Sequence, residues 1–242
     1  MVSANEILKQ CAQCEEMGYI CPIIPSSRND GSMTKCRNKT LLNNFSRICE
    51  MISPNYQIKD LPFDGWDFTH NPKVEGILKK SIEWLEGKGR NKNGIFFFSN
   101  QGTGKTRIMI YLLLKYVELG GDDFFYITSK ALHNEFVKES RSEANRMDLV
   151  RRCRLLVIDD IGESEGKKEF FQAQLKSILD FIEGRKIVIS SNYPIQPFKG
   201  FVGKSLSTDI FVDEGELSRQ LISRLSGFEI IYWQGKDMRG IK

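Results

Sequence analysis

The feature that most constrains this chain is the octapeptide Ser99-Asn100-Gln101-Gly102-Thr103-Gly104-Lys105-Thr106. It follows a strand-like apolar run, IFFFS at 95–99, and opens TRIMIYLLLKYVEL, a segment of helical length and composition stopped by Gly120 and Gly121. A phosphate-binding loop needs this context. Glycines let successive backbone N–H groups turn inward around an anion, and the helix N-terminus adds its partial positive charge. In such a loop Asn100, Gln101, Gly102, Thr103 and Gly104 surround the phosphates. Lys105 reaches the β- and γ-phosphates, and the Thr106 hydroxyl coordinates Mg²⁺. Ser99 stands where the usual G-x-x-x-x-G-K-T pattern has its first glycine, and a residue this small is expected to preserve the turn. A chance GKT in an ordinary strand-to-helix turn is the competing explanation, and the flanking elements weigh against it.

The rest of the chain supplies the sheet that such a loop belongs to. FFYIT at 124–128, LLVID at 155–159, IVISS at 187–191 and FEIIYW at 228–233 are strand-length and too apolar for half-exposed strands. Together with 95–99 they predict a five-stranded parallel sheet between helices, an α/β fold, with KEFFQAQLKSILDFIE at 168–183 as one covering helix. One strand ends in two carboxylates. Asp159 is expected to hold magnesium through water, and Asp160 to orient or deprotonate an attacking water. Asn192, just past a buried strand, sits where parallel sheets place their ligands, although Asn-Tyr-Pro is also an ordinary turn sequence.

Four of the six cysteines, Cys11, Cys14, Cys21 and Cys36, fall in the first 36 residues with spacing C-x₂-C-x₆-C-x₁₄-C. Charged residues interrupt the N-terminus and no run approaches the roughly 20 apolar residues of a membrane span. A soluble, cytoplasmic protein with reduced thiols and no membrane partner is therefore expected. There the four cysteines suit Zn²⁺, because a module this small needs a metal to fold. Residues 1–53, including a short helix at 41–52, are expected to form this zinc-binding, partner-interaction module, and residues 54–242 the nucleotide-binding domain. Cys49 and Cys153 are assigned to packing. The net charge of +4 permits nucleic-acid binding without establishing it.

Read together, SNQGTGKT, YITSKALHNEF, LLVIDDIG, SSNYP and SRQLISRL resemble the DnaC/IstB-like branch of AAA+ ATPases over roughly residues 54–242. The resemblance implies Walker A at 99–106, Walker B ending in Asp159 and Asp160, sensor 1 at Asn192, and no C-terminal helical lid. It also implies a trans-acting arginine finger at Arg224, with Arg219 as rival, and hence a homo-oligomer built through its nucleotide sites. Arg239 could approach a nucleotide in place of the missing sensor 2. The implied function is an ATP-dependent loader of a hexameric replicative helicase onto single-stranded DNA, with hydrolysis as release switch. The N-terminal module would grip the helicase. An IstB-like regulator of a transposase and a nucleotide-gated adaptor with negligible turnover are the alternatives.

Between Lys130 and Arg154 seven basic residues face four acidic ones. In the resembled family this segment touches single-stranded DNA, which singles out Lys138 and Arg141; a solvated helical face is the plainer meaning. For the cysteines the expected outcome is one zinc per chain. Elemental analysis of protein purified without added metal tests it, and less than about half an equivalent with freely reactive thiols contradicts it.

Overall fold

The structure is a computed structural model that describes residues 37–55, 57, 61, 73–88, 92–162, 168–181, 184–193 and 216–235, apart from the side chains of 37–39, 168–171 and 216–219. In chain order the elements are α1 (Arg37–Ile52), α2 (Lys73–Leu85), β1 (Gly94–Phe98), α3 (Lys105–Glu118), β2 (Phe124–Thr128), α4 (Ser129–Ser140) and α5 (Met147–Arg152). There follow β3 (Leu155–Ile161), α6 (Lys168–Asp180), β4 (Lys186–Ser191), α7 (Glu216–Leu225) and β5 (Glu229–Tyr232).

All five expected strands form one parallel sheet of order β2-β3-β4-β1-β5. Alternate residues of each strand point to opposite faces, and both faces are apolar, which is why the strands read as continuous hydrophobic runs. Ile95, Phe97, Tyr126, Leu155, Val157 and Val188 face a core closed by α1, α2 and α3. Phe96, Phe98, Ile127, Leu156, Ile158 and Ile189 face a second core closed by α4, α5, α6 and α7. The ladder brings the carboxyl ends of β1, β3 and β4 side by side, Phe98 opposite Ser191 and Thr128 opposite Asp159.

Helix ends follow the sequence signals. Gly120 takes a left-handed φ of 92°, and the amides of Gly120 and Gly121 bond back to Val117 and Tyr116, closing α3. α6 stops at Asp180, earlier than the expected 183, and Gly184 (φ 73°) lies in the turn beyond it.

α1 differs from expectation in where it belongs. Its Leu41, Phe45, Ile48 and Cys49 are buried in the same core as Ile108, Leu112 and Phe124. Arg47 donates to the carbonyls of Asp122 (3.1 Å) and Phe124 (2.8 Å), and its guanidinium lies over the Phe124 ring. α1 thus packs on the nucleotide-binding domain, and the boundary expected near Pro54 does not separate the two. The rest of the expected N-terminal module, with Cys11, Cys14, Cys21 and Cys36, lies outside the described residues.

This placement makes Phe45, fully buried, a test residue. Phe45→Ala should cost about 3–5 kcal/mol of domain stability. Urea denaturation followed by the fluorescence of Trp84 and Trp233, which share that core, measures it. An unshifted midpoint would mean that α1 contributes nothing to the domain.

Candidate functional site

The loop between β1 and α3 is built as a phosphate cradle. Gly102 (φ 73°) and Gly104 (φ 93°) adopt left-handed conformations, and Gly104 caps α3 without any side-chain bond to the first-turn amides. Ser99 is buried and has no positive φ, so glycine is not needed there. Its hydroxyl bonds to that of Thr103, which also donates to the Asn100 carbonyl at 2.9 Å. Lys105, 7% exposed, donates to the carbonyls of Ser99 (2.8 Å) and Asn100 (2.9 Å) and to Asn192 Oδ1 (2.8 Å).

The carboxylates come from an irregularity in β3. Its register on β4 runs Ile158 opposite Ile189 but Ile161 opposite Ser191, so β3 carries one extra residue. Asp160 absorbs it with φ 62°, a conformation that aspartate tolerates better than most residues. The amide that leaves the ladder, Asp160 N–H, is taken up by Ser190 Oγ at 2.8 Å, and Ser191 Oγ donates to the Ile161 carbonyl at 2.6 Å. Ser190 also donates to Asp159 Oδ1. Asp159 Oδ2 accepts from the Thr106 hydroxyl and from the Tyr126 hydroxyl, each at 2.8 Å. Asp160 Oδ1 accepts from Asn192 Nδ2 at 2.8 Å.

Lys105, Thr106, Asp159, Asp160 and Asn192 are thus brought together as expected, with Asn100 and Gln101 exposed on the loop and Thr103 buried in it. The donors that converge at Thr106 and Asp159 are oxygens, one of them anionic. That set fits Mg²⁺ and not a soft, thiolate-seeking metal. Tyr126 and Ser190 were missed. In FFYIT and IVISS their hydroxyls read as ordinary strand content, and the only available signal was a polar group inside a run otherwise fit for burial.

Arg224 on α7 lies elsewhere in the same chain's network. It donates through Nε to Asp180 and through Nη1 to the Gln220 carbonyl (3.2 Å). Lys176 (2.9 Å) and then Arg224 hold the carboxyl of the exposed Asp180 below the usual carboxylate range, outweighing a desolvation effect in the other direction. The side chain of Arg219 and all of Arg239 lie outside the described residues. Lys138 pairs with the buried Glu135 at 3.2 Å, while Arg141 is exposed just past α4. Burial alone would raise the Glu135 carboxyl, but the Arg146 amide and Lys138 outweigh it and hold the group low. Cys49 and Cys153 are buried, as assigned, and burial pushes the Cys153 thiol up to about 11. Among the described residues no further group of His, Cys, Asp and Glu gathers as a metal site, and no helix is long and apolar enough to cross a membrane.

A phosphate loop after β1 and paired carboxylates on β3, a parallel strand separated from β1 by β4, define a P-loop ATPase core of the AAA+ type. Residues 76–207, more than half of the chain, match the family described as the bacterial DnaA ATPase domain, and the chain belongs to that family. It is 25% identical to the chromosomal replication initiator protein DnaA of Crocosphaera subtropica over 177 residues, which cover 71% of this chain and 37% of that protein. The chain therefore spans well under half the length of this relative. The fold is shared with the crystal structure of DnaI (TM-score 0.53, 16% identity, 72% of this chain and 88% of that one). It is shared also with the crystal structure of the DnaC helicase loader (TM-score 0.51, 15% identity, 72% and 95%). The expected resemblance to DnaC-type AAA+ ATPases holds, within a family whose matching members are replication initiators.

The bulge yields a direct test in Ser190→Ala, which strands the Asp160 amide and frees one oxygen of Asp159. The expected loss is about 2 kcal/mol in urea denaturation with an unchanged slope. A loss under about 0.5 kcal/mol would show that the hydroxyl does not hold the bulge.

Proposed function

We propose that this protein is an ATP-dependent loader of a hexameric replicative helicase onto single-stranded DNA, with ATP hydrolysis as its release switch. The observation that carries the ATPase half is Asn192, which accepts from Lys105 through Oδ1 and donates to Asp160 through Nδ2, both at 2.8 Å. One amide thereby links the ammonium that meets the phosphates to the carboxylate that meets the water. Bound at Thr106 and Asp159, Mg²⁺ would draw charge from the β- and γ-phosphates. Lys105 exchanges two neutral carbonyls for phosphate oxygens, a stronger, charge-assisted partner. Asp160 orients the attacking water and draws its proton, and Asn192 fixes the approach.

The loader half rests on the fold shared with the DnaC helicase loader and on the cysteine-rich N-terminus, read as a zinc-binding arm for the helicase. Lys138 and Arg141 are proposed as single-stranded DNA contacts, and Arg224 as the finger supplied to a neighbouring subunit in a cytoplasmic homo-oligomer in a bacterial host. Membership of the DnaA family favours a second reading, an initiator-type ATPase that does not hand over a helicase.

Asp160→Asn in the full chain should keep ATP affinity within about twofold and lower single-turnover hydrolysis about 100-fold, whereas Lys105→Ala should lose ATP binding while remaining folded. Wild-type hydrolysis by Asp160→Asn would remove Asp160 from the mechanism. For the partner, the full chain is mixed with purified hexameric helicase, and Cys11→Ser/Cys14→Ser should abolish co-elution. Failure of the unmodified chain to co-elute would favour the initiator reading.

A further inference from the structure

Asp159 is 5% exposed and accepts three hydroxyl protons, each from a different element. Oδ1 takes Ser190 of β4; Oδ2 takes both Thr106 of α3 and Tyr126 of β2. A carboxylate offers about four lone-pair directions, so this leaves roughly one free and fixes both the tilt and the rotation of the group. The two donors on Oδ2 are not equivalent. Thr106 belongs to the phosphate loop's helix and must turn its own oxygen toward the metal. Tyr126 belongs to the sheet, is 4% exposed, and sits in a strand hydrogen-bonded along its length to β3. Its hydroxyl is therefore the donor on Oδ2 whose position is independent of the loop.

Burial makes this bond consequential. A phenol enclosed here without a partner would leave its own O–H unsatisfied, and the sequence could have placed phenylalanine at 126 as it does at 124 and 125. The hydroxyl carries the added polarity straight to the carboxylate expected to hold the metal.

We infer that Tyr126 is a positioning residue for magnesium, fixing the Asp159 carboxylate so that the direction left free on Oδ1, and the Thr106 hydroxyl that Oδ2 holds, stay aimed at the ion's site before and after the phosphate loop closes on nucleotide. This rests on the ATPase reading above. Groups that orient metal-holding carboxylates commonly change metal affinity by about tenfold or more when removed.

The test is Tyr126→Phe in the full chain, which deletes one oxygen and keeps the ring. A fluorescent ATP analogue is titrated without metal and across a magnesium series, with thermal unfolding in parallel. Nucleotide affinity without magnesium should stay within about twofold of the unmodified protein, while the magnesium concentration for half-maximal enhancement should rise about tenfold. A second hydroxyl-free variant, Tyr126→Met, should shift it in the same direction. A lowered unfolding temperature with an unchanged magnesium midpoint would make Tyr126 a packing residue and overturn the inference. If the unmodified protein shows no magnesium-dependent binding, the ATPase reading fails and the inference falls with it. A normal response in both proteins defeats the Tyr126 assignment alone.

Discussion

Consecutive residues of an extended strand point to opposite faces of their sheet, so Asp159 and Asp160 could not serve one site from a regular β3. The extra residue resolves this by turning Asp160 into a left-handed conformation. Such backbone costs on the order of 1 kcal/mol or more and persists only where its surroundings over-determine it. Ser190, Ser191 and Asn192 do so here, all from the end of β4. The serines repair the interrupted ladder with hydroxyls in place of backbone groups, and the asparagine fastens the displaced carboxylate. Asp and not Glu at 160 fits the same geometry, since aspartate is enriched in left-handed backbone and glutamate is not.

The sheet supplies the stiffness that this arrangement presupposes. β1, which delivers the phosphate loop, is held between β4 and β5, and its side chains are locked by aromatic contacts on both faces. Phe97 meets Trp233 edge to face with centroids 5.9 Å apart on one side, and Phe98 stacks on Tyr232 at 4.6 Å on the other. A loop that must rearrange its carbonyls around a lysine is thus anchored on a strand paired along both edges and packed on both faces.

Sequence reasoning reached the parallel sheet and the Lys105, Thr106, Asp159, Asp160 and Asn192 constellation because each depends on local signals: apolar runs, glycines before a helix, carboxylates at a strand end. It did not reach Tyr126 or Ser190. Their role follows from register across neighbouring strands, which a one-dimensional pattern of hydrophobicity does not encode. The same limit explains α1. Amphipathic periodicity marks it as a helix, but periodicity does not say which core an apolar face joins, and the division expected after residue 53 is one that packing ignores.

Arg47 and Met51 of α1 reach the outer edge of β2, Arg47 binding the carbonyls of Asp122 and Phe124 and Met51 Sδ accepting from the Tyr126 amide. A sheet edge left bare is a template for another strand, and β2 is aromatic, uncharged and at the end of the sheet. A protein trimmed to begin at the apparent linker would expose that edge together with the apolar floor beneath Phe45. α1 thus belongs to the packed unit that carries the nucleotide loop, covering one edge and one floor at once.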